Sequence, residues 1–191
     1  MGRWEPNARG RLEKAALDLY AERGFDATTV AEIAARAGLT ERTFFRHFTD
    51  KREVLFSGAG MLEELLVRAT EEAPADLRPV EAIAVALEKT ASEVFDERGE
   101  FARQRQAIIT AHPDLREREL IKLASLASAL AGALRRRSVA DPAASLAAEA
   151  GVAIFKVAFE GWVAAAEPRP LPEYIRETAD AMRAVTGAQP G

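Results

Sequence analysis

Residues 24–53, GFDATTVAEIAARAGLTERTFFRHFTDKRE, constrain this chain most, because helix starts and stops follow one another too closely for anything but short helices. Leu12, Ala16, Leu19 and Tyr20 recur at i, i+4, i+7 and i+8, which predicts an amphipathic helix from about Arg9 to Arg23. Gly24 closes it, and Phe25 packs back on it. Thr29 with Glu32 three positions on is a capping box, opening a second helix whose buried stripe is Val30, Ile33, Ala34 and Ala37. Gly38-Leu39 forms a tight turn, and Thr40 caps a third helix that ends near Phe48. Asp50 with Glu53 reads as another capping box, starting a fourth helix from Lys51 to about Glu72. Short helices in this succession, the second and third joined by AGLT, read as a helix-turn-helix.

Beyond residue 72, Pro74, Pro79, Pro113, Pro142 and the Pro168–Pro172 cluster separate Ala/Leu-rich segments of helical period. They predict helices near 79–97, 100–111, 114–137, 142–166 and 172–186, with no strand, repeat or low-complexity tract. The expected fold is all-α: an N-terminal three-helix helix-turn-helix domain over 1–55 and a larger helical domain over 56–191. Gly58 and Gly60 fall inside the expected fourth helix, either as a flexible point or to permit close packing.

On a helical wheel, Phe44 and Phe48 join Leu39 on one face of the third helix as core. Arg42, Phe45, Arg46 and Thr49 share the opposite side, flanked by Glu41, Thr43 and His47. Phe45 is the odd ring. It either sits at the edge of the core or meets a thymine methyl or a sugar in a major groove. Arginines on that face can form paired hydrogen bonds with guanine or hold phosphate. The helix starts at Thr29–Val30 and Asp50–Lys51 offer unpaired N–H groups to phosphates. Charge gives modest help: the chain carries −4 overall, and residues 1–56 hold ten Lys/Arg against nine Asp/Glu, so any DNA site rests on a few placed cations.

Residues 9–55, centred on AERGFDATTVAEIAARAGLTERTFFRHFTDKREVL, resemble the DNA-binding domain of TetR-family transcriptional regulators. The resemblance is carried by Gly24-Phe25, Thr28-Thr29, Ile33-Ala34, Ala37-Gly38, Thr43, Phe48 and Lys51. It implies that Thr29, His47 and Lys51 hold phosphates, that Thr40, Glu41, Arg42 and Thr43 lie where the third helix approaches bases, and that Arg46 serves either task. Phe45 stands where the family usually has a tyrosine whose hydroxyl bonds a phosphate, and only the ring's apolar contact is retained. Arg3, on the arm before the first helix, is either a further groove contact or part of a disordered tail.

A head reading one half-site needs a partner, and two-fold symmetry matched to a palindromic double-stranded operator supplies it. The resemblance implies a homodimer through the last two helices. Val152, Phe159, Trp162 and Val163 on the first of these, with Ile175 and Met182 on the second, are the candidate interface or, alternatively, internal core. Lys156 and Glu160 are expected to pair. EFARQRQAIITAHPDLREREL and AIFKVAFEGW resemble the C-terminal domain of a subgroup that includes the regulator of mycofactocin gene clusters, implying a small-molecule effector of acyl-CoA type. An apolar channel lined by Phe95, Phe101, Ile108, Leu126, Phe155 and Phe159 would then take the chain, with Arg103 or Arg105 at the head group. Plain core and a solvated face are the alternatives for these residues.

The composition argues against other classes. With no Cys and only His47 and His112, the chain offers no thiolate nucleophile, disulfide or evident metal site, so no enzyme and no cofactor are expected. MGRWEPNARG lacks an apolar leader, and AGVAIFKVAFEGWVAAA is interrupted by Lys156 and Glu160, which predicts a soluble cytoplasmic chain without membrane partners. The sequence therefore points to a ligand-responsive DNA-binding regulator, ordinarily a repressor. A helical interaction adaptor without DNA binding, or an activator of the same fold, is the alternative.

Overall fold

The computed structural model describes residues 7–96, 98–167 and 169–187. Arg3 and Pro168 lie outside them. Among the described residues the chain is all-helical: α1 (Ala8–Arg23), α2 (Val30–Arg36), α3 (Glu41–His47), a 3₁₀ turn (Glu53–Phe56), α4 (Ala59–Glu72), α5 (Pro79–Phe95), α6 (Gly99–Ala111), α7 (Pro113–Arg136), α8 (Ala143–Ala164) and α9 (Leu171–Thr186). It divides into two compact units. One runs up to Gly58 and takes in Gln104–Glu119; the other comprises Ala59–Arg103 and the chain from Leu120 onward.

In the first unit, α1 begins at Asn7, whose side chain accepts the Gly10 N–H, and it buries Leu12, Ala16, Leu19 and Tyr20. Fully burying each leucine stabilises the unit by roughly 1.5–3 kcal/mol. Gly24 ends α1 at φ +86°, its N–H returning to the Tyr20 carbonyl. Buried Thr28 donates to the Gly24 carbonyl at 2.9 Å, and Thr29 and Glu32 form the reciprocal capping box that starts α2. At Gly38, φ is +65°, and an added Cβ would lie 2.8 Å from the Arg11 guanidinium. That arginine donates to the Ala37 carbonyl, pinning the turn between α2 and α3 against α1.

The expected unbroken fourth helix requires correction. Asp50 Oδ1 accepts from the Arg52 and Glu53 N–H groups at 2.7 and 3.0 Å, but the element it opens is a single 3₁₀ turn burying Val54, Leu55 and Phe56. The Leu55 carbonyl accepts from Arg105 Nε at 2.6 Å, and the Ser57 carbonyl accepts from Arg9. Two of the carbonyls that would carry the α-helix onward are thus engaged by side chains, and α4 starts afresh at Ala59. Close packing at Gly58 and Gly60 is also corrected, since an added Cβ at either meets nothing within 4 Å.

The second unit is a bundle in which α5, α8 and α9 share one core, with Ile83, Leu87, Ile154 and Ile175 buried. Gly151 sets the approach of α8 to α5: a Cβ there would stand 2.4 Å from Ile83 Cγ2. Lys156 and Glu160 pair at 3.9 Å on the outside of α8, as expected. No described helix is long and apolar enough to cross a membrane.

Candidate nucleic-acid interface

The third helix is seven residues long, too short to hold itself in water. Tertiary contacts set its orientation. Thr40 caps it, its hydroxyl accepting the Thr43 N–H at 3.2 Å and standing 3.1 Å from the Thr43 hydroxyl. Phe44 is completely buried and Phe48 nearly so, their rings 5.4 Å apart. Anchored on that side, the helix turns Arg42, Phe45 and Arg46 outward.

Phe45 is 55% exposed, which decides between the two readings of this ring: it is not at the edge of the core. Its ring stands edge-on to Phe44 with centroids 5.5 Å apart, so a buried neighbour fixes an exposed one. Together Arg42, Thr43, Phe45 and Arg46 line a concave notch of about 630 Å³. Neither arginine has an acidic partner among the described residues. Two other cations of the region, Arg36 and Arg23, are committed elsewhere. Arg36 grips Glu22 through two hydrogen bonds of 2.8 and 2.7 Å, and Arg23 meets Glu32 at 2.5 Å. The Arg36 hydrogen bond holds the Glu22 carboxyl below its usual range. Glu32 is lowered first by the Thr29 N–H, then by the Thr29 hydroxyl. These acids stay ionised and mask their arginines.

The remaining expected contact residues are placed unevenly. Thr29, Thr40 and Glu41 are exposed at the starts of α2 and α3. His47 is half-buried, and its Nε2 is shielded and without a hydrogen-bond partner. Lys51 stands differently from its expected phosphate role. Its ammonium donates to the carbonyls of Phe25, Asp26 and Thr28 at 2.8, 3.2 and 2.8 Å and lies 4.5 Å above the Phe25 ring. All three of its protons are thereby engaged in holding the α1–α2 connection. The Lys51 carbonyl accepts from the Tyr20 hydroxyl at 2.6 Å, and burial, with Asp50 nearby, pushes that phenol's pKa up.

Sequence reasoning missed a third contributor to this unit, the corner between α6 and α7. Ile109 and Leu115 are fully buried there, His112 meets the Phe25 ring edge-on at 5.2 Å, and Arg118 pairs with Glu53. Arg105 also belongs here. Besides the Leu55 carbonyl it bonds Glu119 at 3.3 Å and lies over Phe56, and its pKa is lowered by burial against the pull of Glu119. Of the residues expected to line the ligand channel, Arg105 and Ile108 sit in the first unit, and no local pattern announces it.

Within the second unit, Phe95, Phe155, Phe159 and Trp162 form one aromatic cluster, with ring separations from 5.7 to 6.4 Å. Leu126 is buried in the same core, Phe101 is half-buried, and Arg103 pairs with Glu100 at 3.6 Å. Of the expected dimer-face residues, three lie in the core and three at its edge. Val152, Trp162 and Ile175 are 9%, 5% and 0% exposed inside the unit's own core, against which Phe159, Val163 and Met182 pack. On α8 and α9 the large apolar residues left exposed are Leu146, Val157 and Val185. Among the described residues no group of acidic or histidine side chains is arranged to hold a metal.

A short capped helix presenting two unpaired arginines beside an exposed ring is the architecture of a helix-turn-helix reader, and comparison with known proteins agrees. Residues 12–57 match the family described as bacterial regulatory proteins, tetR family, and residues 77–187 match the MftR C-terminal domain. The chain belongs to the tetR family, with a C-terminal domain of the MftR type. It is 35% identical over 88 residues to the HTH-type transcriptional regulator TcmR of Streptomyces glaucescens, covering 46% of this chain and 39% of that one. The HTH-type transcriptional repressor Rv3405c of Mycobacterium tuberculosis is 42% identical over 65 residues, covering 34% of this chain and 35% of its own length. These matched stretches thus span well under half of either relative. In fold the chain is similar to SmeT in its triclosan complex (TM-score 0.66, 22% identity, covering 96% and 95% of the two chains). It is also similar to FadR of Bacillus subtilis in complex with stearoyl-CoA (TM-score 0.64, 20% identity, 94% and 99%).

Proposed function

We propose that this chain is a cytoplasmic transcriptional regulator, not an enzyme, that binds a palindromic DNA operator as a homodimer and is released by a small-molecule effector. One observation carries the reading: the outward face of α3, where Arg42 and Arg46, without acidic partners among the described residues, stand beside an exposed Phe45 that packs edge-on against buried Phe44. Arginine paired to guanine edges supplies base preference, and Arg46 also reaches phosphate. Thr29 and Thr40 stand exposed at the entrances of α2 and α3, and His47 reaches a phosphate only if its ring turns to bring the shielded Nε2 to the surface. Lys51 acts through structure, by holding the segment that carries Thr29. Repression by occupying a promoter follows from binding alone.

Dimerisation uses the outward stripe of α8 and α9. Leu146 and Val157 are 67% and 56% exposed, and Ala150, Ala153 and Gly161 continue their spacing with side chains small enough for close approach. The effector site lies in the second unit beside Phe95, Phe155 and Phe159, with Phe101, Leu126 and Arg103 around it. Support for an acyl-CoA-like effector comes from the MftR-type domain and from the fold shared with FadR. Whatever binds must favour the conformation that misplaces the two reading heads, since equal affinity for both shifts nothing.

Selection from random duplexes tests the reading. A palindrome should emerge with half-site centres about 34–36 Å apart, bound with an affinity that falls steeply with salt. Failure to enrich any sequence, with no salt-dependent binding, removes it. Thermal melting with long-chain acyl-CoA, the matching fatty acid and CoA alone then tests the effector. A concentration-dependent rise with acyl-CoA alone supports the class, and no shift with any of the three rejects it.

A further inference from the structure

We infer that Phe45 is a specificity residue that reads the C5-methyl group of a pyrimidine lying within one base step of a guanine. This rests on the DNA-binding reading of α3 and goes beyond it by naming the chemical group recognised. The notch bounded by Arg42, Thr43, Phe45 and Arg46 sets an apolar ring beside two cations that carry no acidic partner among the described residues. An exposed phenyl ring in that position gains nothing from phosphate, which it cannot hydrogen-bond. In a major groove, the apolar feature that distinguishes one base pair from another is the thymine methyl.

The geometry also limits where that methyl lies. Arg42 and Arg46 are four residues apart, about 6 Å along the helix axis. Base steps are about 3.4 Å apart along a strand, so the backbone positions of the two arginines span roughly two steps, with Phe45 adjacent to Arg46 and within one turn of Arg42. The ring stands edge-on to Phe44, which is fully buried. The Thr43 hydroxyl is already within 3.1 Å of the Thr40 hydroxyl, and so Thr43 adds little polar character to the notch. A methyl seated there is removed from water on both the DNA and the protein side. Burying one such group is worth about fourfold in affinity per half-site, and about fifteenfold when both halves of a palindrome are changed. Because the group recognised is the methyl and not the base, 5-methylcytosine satisfies the same contact that thymine does.

The test uses the full-length protein and the operator obtained by selection. Each thymine in turn is replaced by deoxyuridine, which removes the methyl and leaves every hydrogen-bonding edge intact. At one thymine beside a guanine, affinity should fall about fourfold per half-site. Cytosine placed there should bind more weakly than 5-methylcytosine by a similar factor. Phe45→Ala should abolish both differences, whereas Phe45→Tyr should keep them. Since Phe45 is exposed, both variants should melt with the wild type, and this is checked first. Indifference to every deoxyuridine overturns the inference, as does methyl discrimination that persists in Phe45→Ala. If no duplex is selected at all, the DNA-binding reading itself falls and takes this inference with it.

Discussion

The two units of this molecule are held together by different means. In the first, side chains from distant parts of the sequence reach backbone carbonyls: Arg9 at Ser57, Arg11 at Ala37, Lys51 at three carbonyls between Phe25 and Thr28, and Arg105 at Leu55. In the second, Arg137 ties off the Glu71, Ala73 and Pro74 carbonyls in the same way, but the core is made by long helices that lie close because alanine and glycine let them, as Gly151 does beneath Ile83. The difference follows from helix length. Helices of seven residues bring little stability of their own, so a charged side chain that ties off a carbonyl counts heavily. Helices of 16–24 residues, such as α7, α8 and α9, bury enough apolar surface to set their own geometry.

The largest effect should come from Phe44→Ala, which empties a fully buried site in the first unit at a cost of about 3–5 kcal/mol. Segment-resolved hydrogen exchange should accelerate over residues 8–56 and remain slow over α5 and α8. Equal acceleration in both units would erase the distinction between them. Lys51→Met comes next, at about 1.5–3 kcal/mol, because it strands carbonyls that a cation satisfied. Its signature should be a lower melting temperature of the first unit. If melting is unchanged while DNA affinity and its salt slope both fall, Lys51 acts on phosphate instead. Gly151→Ala attacks the other unit by overpacking, costing about 1–3 kcal/mol, and should speed exchange in α5 and α8 while leaving α1–α3 protected.

The smallest effect is a pH dependence. Glu32 is held ionised by the Thr29 N–H and hydroxyl, so its folded pKa lies below its unfolded one. Its contribution is complete above the ordinary carboxylate range and is lost as pH falls through the lowered value. Glu32→Gln should therefore flatten the acid limb of the melting profile. An unchanged limb would mean the capping box adds nothing to the first unit's stability.

Much of this architecture could be read from the sequence, for identifiable reasons. Pro79, Pro113 and Pro142, together with the Thr29, Thr40 and Gly24 punctuation, place helix ends within about two residues of where they fall. The outward turn of Arg42 and Arg46 follows from the wheel, since Phe44 and Phe48 can face only one way. The break after Phe56 was not legible, because the arginines that engage its carbonyls lie 48 and 50 positions away. On α8 the helical period reveals apolar stripes but not which one turns inward. Val152 and Trp162 face the core while Leu146 and Val157 remain outside, flanking the narrow polar stripe of Glu149, Lys156 and Glu160, which marks the solvent side but leaves apolar residues on both of its edges. Nor does any local pattern tie Arg105 to Leu55.

The corner of α6 and α7 matters to anyone who would transplant this reading head. It belongs to the first unit, contributing Ile109 and Leu115 to its core and Arg105 and Arg118 to its ties. A chimera spliced at a single point after residue 58 would join a head to a foreign corner, whatever the quality of the splice itself. Swapping DNA specificity between relatives therefore means either carrying two separated segments of the gene together, or leaving the head in place and changing only the outward residues of α3.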